Sequence, residues 1–191
     1  DADLNFQVSQ DGTVATRMSV SGTGDVFVTD GNLTFSGAGH GVYLGVTTAD
    51  AANLLDDYEE GTWSIILEDH SDNAMTLNSS YNTGTYVKVG GLVTLTGYAN
   101  VDAVGSASGS MRISGLPYTI LGNSRNYTAM SIGYAAGLSI TAGTSVAGVG
   151  IINTQNVNLT NYDVTAGTTN LAASKLTSDA QFIFSISYMT I

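Results

Sequence analysis

The chain has 191 residues, a length that suits one compact domain, or a smaller domain joined to an extended piece. Its net charge is -11 with only five Lys and Arg residues, which disfavours binding to nucleic acid or to anionic membranes. The chain contains no Cys, so disulfides and thiolate chemistry are excluded.

Residues 1–46 carry a loose repeat, in which a Gly-containing turn precedes a short apolar run. The four copies read "DGTV", "TGDV", "DGNL" and "HGVYL". Each unit is too short to bury a face by itself, and isolated short hairpins are marginal in water. The same strands from other copies of the chain would pair with them and cover their apolar faces. The sequence therefore predicts an intertwined β stem over residues 1–46.

Residues 47–62 are predicted to form a linker that contains a short helical turn. Ala51, Leu54, Leu55 and Tyr58 recur at the spacing of one helix face. Four carboxylates near the C-terminal end of this segment would oppose the helix dipole, so we expect one or two turns at most. These acids are Asp56, Asp57, Glu59 and Glu60.

From Trp63 onward, runs rich in Val, Ile, Thr, Tyr and Phe alternate with Gly, Asn and Ser. "TYVKVGGLVTLTGYANV" predicts a hairpin that turns at Gly90–Gly91. In "AQFIFSISYMTI", the residues from Phe182 to Tyr188 alternate with period two, as in a half-buried strand. The pattern predicts an all-β head over residues 63–191, folded as a β-sandwich or jelly roll.

The acidic run has three interpretations. Paired carboxylates could act as glycosidase catalysts, could hold a cation near a symmetry axis, or could form a hydrated surface. The run lacks a calcium-loop pattern, and adjacent side chains on a turn usually point into solvent. We therefore expect no catalytic residue, metal ion or cofactor here. His40 and His70 lie thirty positions apart, so a zinc site is not indicated.

Several segments together resemble bacteriophage tail fibre and receptor-binding proteins, in which a stem leads into a β-rich head. The resemblance is carried by "GVYLG", "LLDDYEEGTW", "YVKVGGLVTLTG" and "ISGLPYT", in that order. It covers roughly residues 35–121 and departs from the family pattern after "GTW", where the usual Pro is missing. The resemblance implies a homotrimeric fibre tip in the virion, attached to other tail proteins through a preceding part of the protein.

The same resemblance implies that the head binds the host surface, either a polysaccharide or an outer-membrane receptor. Loops on a rigid scaffold usually carry such contacts. Amide, guanidinium and aromatic groups would suit the hydroxyls and the apolar ring face of a sugar. Trp63 could also stack on a sugar, but its shared face with Ile65 and Leu67 favours a core position. The predicted binding residues are Asn123, Arg125, Asn126, Tyr127, Asn161 and Tyr162, with Asp163 beside the last two.

The sequence thus predicts a non-catalytic tail fibre tip that binds the host cell surface during adsorption. Two alternatives stay open. One is a tailspike-like depolymerase or esterase that cuts host glycan, and the other is a purely structural fibre or baseplate protein.

Overall fold

A computed structural model describes residues 2–29, 32–37, 39–49, 53–163 and 167–191, except for the side chains of Gln10 and Asp163. The chain divides into two compact units, Asp1–Asp56 and Asp57–Ile191. Regular structure in the described ranges is β-strand apart from the 3-10 turn Ala173–Lys175 and a 3-10 assignment at Asn53, which confirms the all-β prediction. No helix in these ranges is long and apolar enough to cross a membrane.

The first unit has two small antiparallel sheets. The turn between its first two strands follows the predicted repeat, because Asp11 and Gly12 both adopt positive φ, at 51° and 79°. The "DGNL" copy differs from the prediction, since Leu33 lies outside any strand and Asp30–Gly31 lie outside the described residues. The strands are β1 (Leu4–Gln10), β2 (Thr13–Val20), β3 (Val26–Val28), β4 (Val42–Tyr43) and β5 (Leu54–Leu55).

The three-stranded sheet β1–β2–β3 has one largely apolar face and one face of mixed composition. Leu4 pairs with Val20, which pairs with Val26, so all three side chains share a face. The opposite face carries Asn5, Gln7 and Ser19, and also Phe27, which is 54% exposed. Large apolar side chains on the apolar face remain 41–59% exposed: Leu4, Phe6, Val8, Val26 and Val28.

The helical turn predicted over residues 47–61 does not extend to Leu54, Leu55 and Tyr58, which lie in strands, although Asn53 is in 3-10 conformation. Leu54–Leu55 pairs with Val42–Tyr43, and the chain from Tyr58 onward is extended. Leu55 and Tyr58 are 39% and 63% exposed, so they do not form the apolar docking face that the helical spacing predicted. Pairing with distant strands overrides the local periodicity. Asp50–Ala52, which include Ala51 of the predicted helix face, lie outside the described residues.

The second unit contains one antiparallel sheet of 11 strands. Its order is β6-β9-β10-β16-β12-β13-β14-β11-β7, with β8 beside β10 and β15 beside β14. The strands are β6 (Tyr58–Ser64), β7 (Ile66–Asp69), β8 (Thr76–Leu77), β9 (Thr83–Val89), β10 (Leu92–Ala103), β11 (Met111–Ser114), β12 (Thr128–Leu138), β13 (Ser145–Ile151), β14 (Asn156–Asp163), β15 (Gly167–Asn170) and β16 (Leu176–Met189).

This sheet curves until its ends nearly meet, instead of forming two separate sheets. The strands β6 and β7 follow each other in the chain, broken only at Ile65, yet they occupy opposite ends of the strand order. Met75 N–H donates to Leu67 O at 2.8 Å, and the neighbouring β8 pairs with β10. The head is therefore close to a barrel, and its core lies inside the curved sheet.

The long central strands confirm the period-two prediction. In β16, Phe182, Phe184, Ile186 and Tyr188 are at most 3% exposed, whereas the intervening side chains face outward. Val93 and Leu95 of β10 meet Tyr188 and Ile186 across the sheet. The hairpin β9–β10 turns at Gly90–Gly91, as predicted.

Trp63 is a core residue, as its shared face with Ile65 and Leu67 predicts. It is 5% exposed, its Nε1 donates to Thr96 O at 3.1 Å, and its ring meets the edge of Phe184 at 6.2 Å between centroids. Gly84 and Gly97 lie beneath these rings, where a Cβ would overlap them. The indole is therefore inaccessible to a sugar.

Candidate functional site

The acidic run, the "YVKVGG" hairpin and the "GLPY" turn meet at one end of the second unit. We call this group the Lys88 cluster; the antiparallel register places Glu59 opposite Lys88 and Lys88 opposite Val93. Segments far apart in the sequence therefore contribute to one structural feature. Its members are Asp57, Glu59, Tyr86, Lys88, Tyr118 and Tyr188.

Lys88 is the centre of this cluster. The residue is only 4% exposed, and its ammonium pairs with the Asp57 carboxylate, which is 48% exposed. The Nζ atom also lies 5.4 Å from the centroid of the Tyr118 ring. A buried ammonium requires such partners, because an uncompensated charge in a low-dielectric interior is strongly unfavourable.

Three tyrosines surround the charges. The Tyr86 hydroxyl donates to Oε1 of Glu59, and its ring meets the Tyr118 ring at 5.7 Å between centroids. Hydrogen bonds from Tyr118 and Tyr86 hold the pKa of the Glu59 carboxyl below its usual range, and the same bonds raise the pKa of both phenols. Burial raises the pKa of Tyr188 to about 12. Around neutral pH, Glu59 is therefore ionised and the hydroxyls of Tyr86, Tyr118 and Tyr188 are protonated.

All four side chains of the acidic run are exposed, as the interpretation as a hydrated surface predicts, and the structure adds a hydrogen-bond or ion-pair partner for three of them. Asp57 pairs with Lys88 and Glu59 accepts from Tyr86, while Glu60 accepts from its neighbour Tyr58 at 2.9 Å. Asp57 and Glu59 thus bind side chains of β9 and help to hold β6, the first strand of the second unit, against it. In the described ranges, no group of three or more His, Asp or Glu side chains is arranged to hold a metal ion.

A second charged group stabilises the other end of the sheet. Asp69 is 1% exposed and accepts from Ser71 N, Asn73 N, Asn73 Nδ2 and Ser108 N at 2.7–3.1 Å. The Asn73 amide and the Ser108 N–H lower its pKa well below the usual range. Nε of Arg112 donates to Glu68 at 2.9 Å, and the guanidinium also pairs with Asp72. All four Asp69 donors come from the protein itself, which indicates a structural role.

The structure separates the predicted binding residues into two groups. Asn123–Tyr127 precede β12 in an irregular segment, where Asn123 Oδ1 accepts from Arg125 N at 3.0 Å. Arg125, Asn126 and Tyr127 border a cavity of about 190 Å³, and Tyr127 is 57% exposed.

The second predicted group lies on a strand and not on a loop. Asn161 and Tyr162 belong to β14, and Asn161 Oδ1 accepts from Thr169 Oγ1 at 3.2 Å. Thr128 pairs with Gly150, whereas Asn161 pairs with Val146. The two groups therefore lie on opposite sides of β13 and towards its opposite ends, since Gly150 and Val146 are separated by roughly 13 Å along the strand at ~3.3 Å per residue. The side chain of Asp163 lies outside the described residues.

A shallow depression of about 510 Å³ lies on the outer face of the sheet, across β9, β10, β16 and β12. We call it the hydroxyl trough, because Thr85, Thr96, Ser185 and Ser131 line it as consecutive cross-strand partners. None of the residues that line it carries a formal charge. The sequence predictions did not include these residues, although the exposed hydroxyls in "TLTGY" and "FSIS" alternate with core residues.

The wall of the trough is aromatic. Tyr98 lines it, its hydroxyl donates to Gln181 Oε1 at 2.7 Å, and its ring lies 4.5 Å from the Tyr81 ring between centroids. Thr85 Oγ1 and Thr96 Oγ1 lie 3.1 Å apart. The trough therefore combines a row of hydroxyl groups with an oriented aromatic ring.

No protein-family model matches the sequence, and no curated protein matches it significantly. Among solved structures, the chain is similar to the crystal structure of Dettilon tailspike protein (gp208), at a TM-score of 0.60 and 20% identity. The alignment covers 69% of this chain and 24% of the tailspike chain, so this chain corresponds to about a quarter of that protein. The likeness establishes a shared fold.

Proposed function

We propose that the chain is part of a phage tail fibre or tailspike and binds the surface of the host cell during adsorption. The observation that carries this proposal is the fold, which is similar to that of a tailspike over 69% of the chain. The motifs from "GVYLG" to "ISGLPYT" support it independently, since they resemble tail fibre heads. The location is then the virion tail, and a preceding part of the protein would join other tail components.

We propose further that the protein acts as a homotrimer. The apolar face of the β1–β2–β3 sheet supports this, because Leu4, Phe6 and Val26 are 50–59% exposed in the single chain. Sheet faces with this composition are normally covered, and copies of the same chain would cover it symmetrically. A charge of -11 and few basic residues give no support for a nucleic-acid partner.

We propose that binding involves no catalysis. Glycoside hydrolysis requires two carboxyl groups about 5–10 Å apart on either side of a sugar bond. The residues that line the hydroxyl trough include no carboxylate. Asp57, Glu59 and Asp69 are each engaged by donors of the protein itself, which argues for structural roles.

Adsorption provides the test. The labelled full-length protein is mixed with a panel of Gram-negative strains and their mutants that lack surface polysaccharide. We expect saturable binding to at least one strain, and reduced adsorption of phages whose tails carry the same chain. Denatured protein is the control. Failure to bind any strain that such a phage infects would reject the adhesive function.

The catalytic alternative is tested with the same strains. Capsule and lipopolysaccharide from a bound strain are incubated with the protein, and reducing ends and released acetate are measured. We expect neither product to rise above the buffer control. A product that accumulates in proportion to protein concentration would identify a depolymerase or an esterase instead.

A further inference from the structure

We propose that the hydroxyl trough is the receptor site and that its ligand is an uncharged segment of glycan. This inference rests on the proposed adhesive function and identifies the surface of the second unit that would bind the receptor. The surface differs from the predicted groups Asn123–Tyr127 and Asn161–Tyr162, which flank β13.

The first argument is the arrangement of hydroxyl groups. Thr85 pairs with Thr96, Thr96 with Ser185, and Ser185 with Ser131, so one hydroxyl side chain projects from each of four neighbouring strands. At ~4.8 Å between strands, the row extends roughly 14 Å, which is the length of a short oligosaccharide. Each hydroxyl both donates and accepts and can rotate to suit its partner, as sugar hydroxyls require.

The second argument is the position of apolar surface in the trough. Tyr98 and Ile183 face each other across β10 and β16, immediately beside the hydroxyl row. Tyr98 is held by Gln181 and by the Tyr81 ring, so its ring is fixed before a ligand arrives. A sugar ring has one face of C–H groups and a rim of hydroxyls, and it would meet both kinds of surface. Fixed groups reduce the entropy cost of binding.

The third argument is charge. The lining residues carry no formal charge, and the chain as a whole carries -11. An anionic glycan would meet no cation in the trough and would be repelled by the protein's overall field. An uncharged segment avoids both penalties.

The composition also disfavours a second copy of the chain as the occupant. The centres of protein interfaces are depleted in Ser and enriched in large apolar residues. On this face Val89, Leu92 and Met189 form an exposed apolar row beyond Thr94 and Ser187, and exposed Val87 pairs with Thr94, so most of the exposed apolar surface lies outside the trough. The trough volume of about 510 Å³ falls within the ~300–1,000 Å³ range of small-ligand sites.

The same strands provide a matched control for mutagenesis. Thr94 and Ser187 are exposed, and their hydroxyls lie 2.8 Å apart, one row along from Thr96 and Ser185 but outside the trough lining. The pair Thr96→Val and Ser185→Ala therefore makes the same chemical change as the pair Thr94→Val and Ser187→Ala. Both pairs are made in the full chain, and thermal unfolding verifies that each variant folds.

The experiment begins with a strain that the wild-type protein binds. Surface polysaccharide from that strain is separated by anion exchange into uncharged and anionic fractions, and each fraction competes with cells for labelled protein. We expect the uncharged fraction to compete, with little dependence on salt. The trough variant should bind roughly tenfold or more weakly, because each lost hydrogen bond contributes about three- to tenfold. The Thr94/Ser187 variant should stay within about twofold of wild type.

Each alternative result has a distinct meaning. Equal binding by the two variants, or competition by the anionic fraction only, would overturn the trough assignment and leave adhesion intact. A change in molar mass of the trough variant by light scattering would identify the trough as an interface between copies and would likewise overturn it. If the wild-type protein binds no strain, the proposed function itself fails.

Discussion

At the scale of single residues, the Lys88 cluster shows how burial changes the meaning of a charged motif. In the sequence, Asp57 belongs to a run of acids that suggests a solvated surface. In the folded unit it is the counter-ion of Lys88, which is 4% exposed. The sequence shows the acidic run but does not show that Asp57 pairs with Lys88, because 31 positions separate these two residues.

This ion pair predicts that removing Asp57 alone destabilises the protein more than removing both charges. Asp57→Asn leaves the Lys88 charge without its partner, and we expect a loss of about 1–3 kcal/mol in the free energy of unfolding. The loss should be smaller than for a fully buried pair, since the Asp57 side chain is 48% exposed. Adding Lys88→Met to Asp57→Asn removes the charge, and stability should return to within about 1 kcal/mol of wild type.

Urea denaturation of the single and double variants measures this coupling. Asp56→Asn is the control, because it changes a neighbouring exposed acid. If Asp57→Asn costs no more than Asp56→Asn, or if the double variant is the least stable, the counter-ion role is contradicted.

Asp69 predicts how stability depends on acid pH. Its four donors keep the pKa of the folded carboxyl well below the ~3.9 of an unfolded chain. The unfolded state therefore binds more protons at low pH, and the stabilising contribution of Asp69 is present above ~pH 4 and is lost as pH falls below it. Asp69→Asn should lower stability at pH 7 and flatten the decline between pH 5 and 2.5.

The measurement is the thermal unfolding midpoint across that pH range. Asp179→Asn, which removes one exposed charge, should retain the wild-type slope. Parallel curves for Asp69→Asn and wild type would show that the hydrogen bonds to Asp69 do not favour the carboxylate.

At the scale of elements, alternation in the sequence was sufficient for the strands that have one buried face. The residues from Phe182 to Tyr188 and the turn at Gly90–Gly91 were predicted from residue types alone. The strand β5 and the start of β6 were not predicted, because the spacing of Leu54, Leu55 and Tyr58 fits a helix equally well. The hydroxyl trough required the register of four strands drawn from residues 83 to 189, and local patterns do not contain that register.

The packing of β6 on β9 depends on a glycine. A Cβ at Gly84 would overlap the Trp63 indole, approaching Cε2 to 2.9 Å, and would also meet the Thr96 carbonyl. Gly84→Ala should therefore displace Trp63 and lower the free energy of unfolding by about 1–3 kcal/mol or more. Trp63 is the only Trp in the chain, so its fluorescence should shift to longer wavelength in the variant.

Gly133→Ala is the matched control for this substitution. Gly133 also lies within a strand, but nothing lies within 4 Å of a Cβ built there. We expect its unfolding midpoint and emission maximum to stay close to wild type. If the two variants behave alike, close packing of Trp63 over Gly84 does not limit the stability of the unit.

At the scale of the whole molecule, the first unit buries little by itself. Its contacts are mainly within β1–β2–β3, and the apolar face of that sheet is left open in the single chain. The second unit has its own continuous core, from Trp63 to Tyr188. The all-β class and the position of the core were thus predictable, whereas the number of chains is a proposal that rests on the open face of the first unit.

The homotrimer proposal gives a prediction specific to that face. Light scattering of the full chain at micromolar concentration should give three times the mass of one chain. Leu4→Ser with Phe6→Ser removes two apolar side chains that are 59% and 50% exposed, and this variant should dissociate. Asn5→Ser with Gln7→Ser changes two polar side chains on the opposite face of the same strand and should remain trimeric. Because an interface between copies must bury the apolar face to be stable, a monomeric wild type, or equal dissociation of both variants, would contradict the proposal.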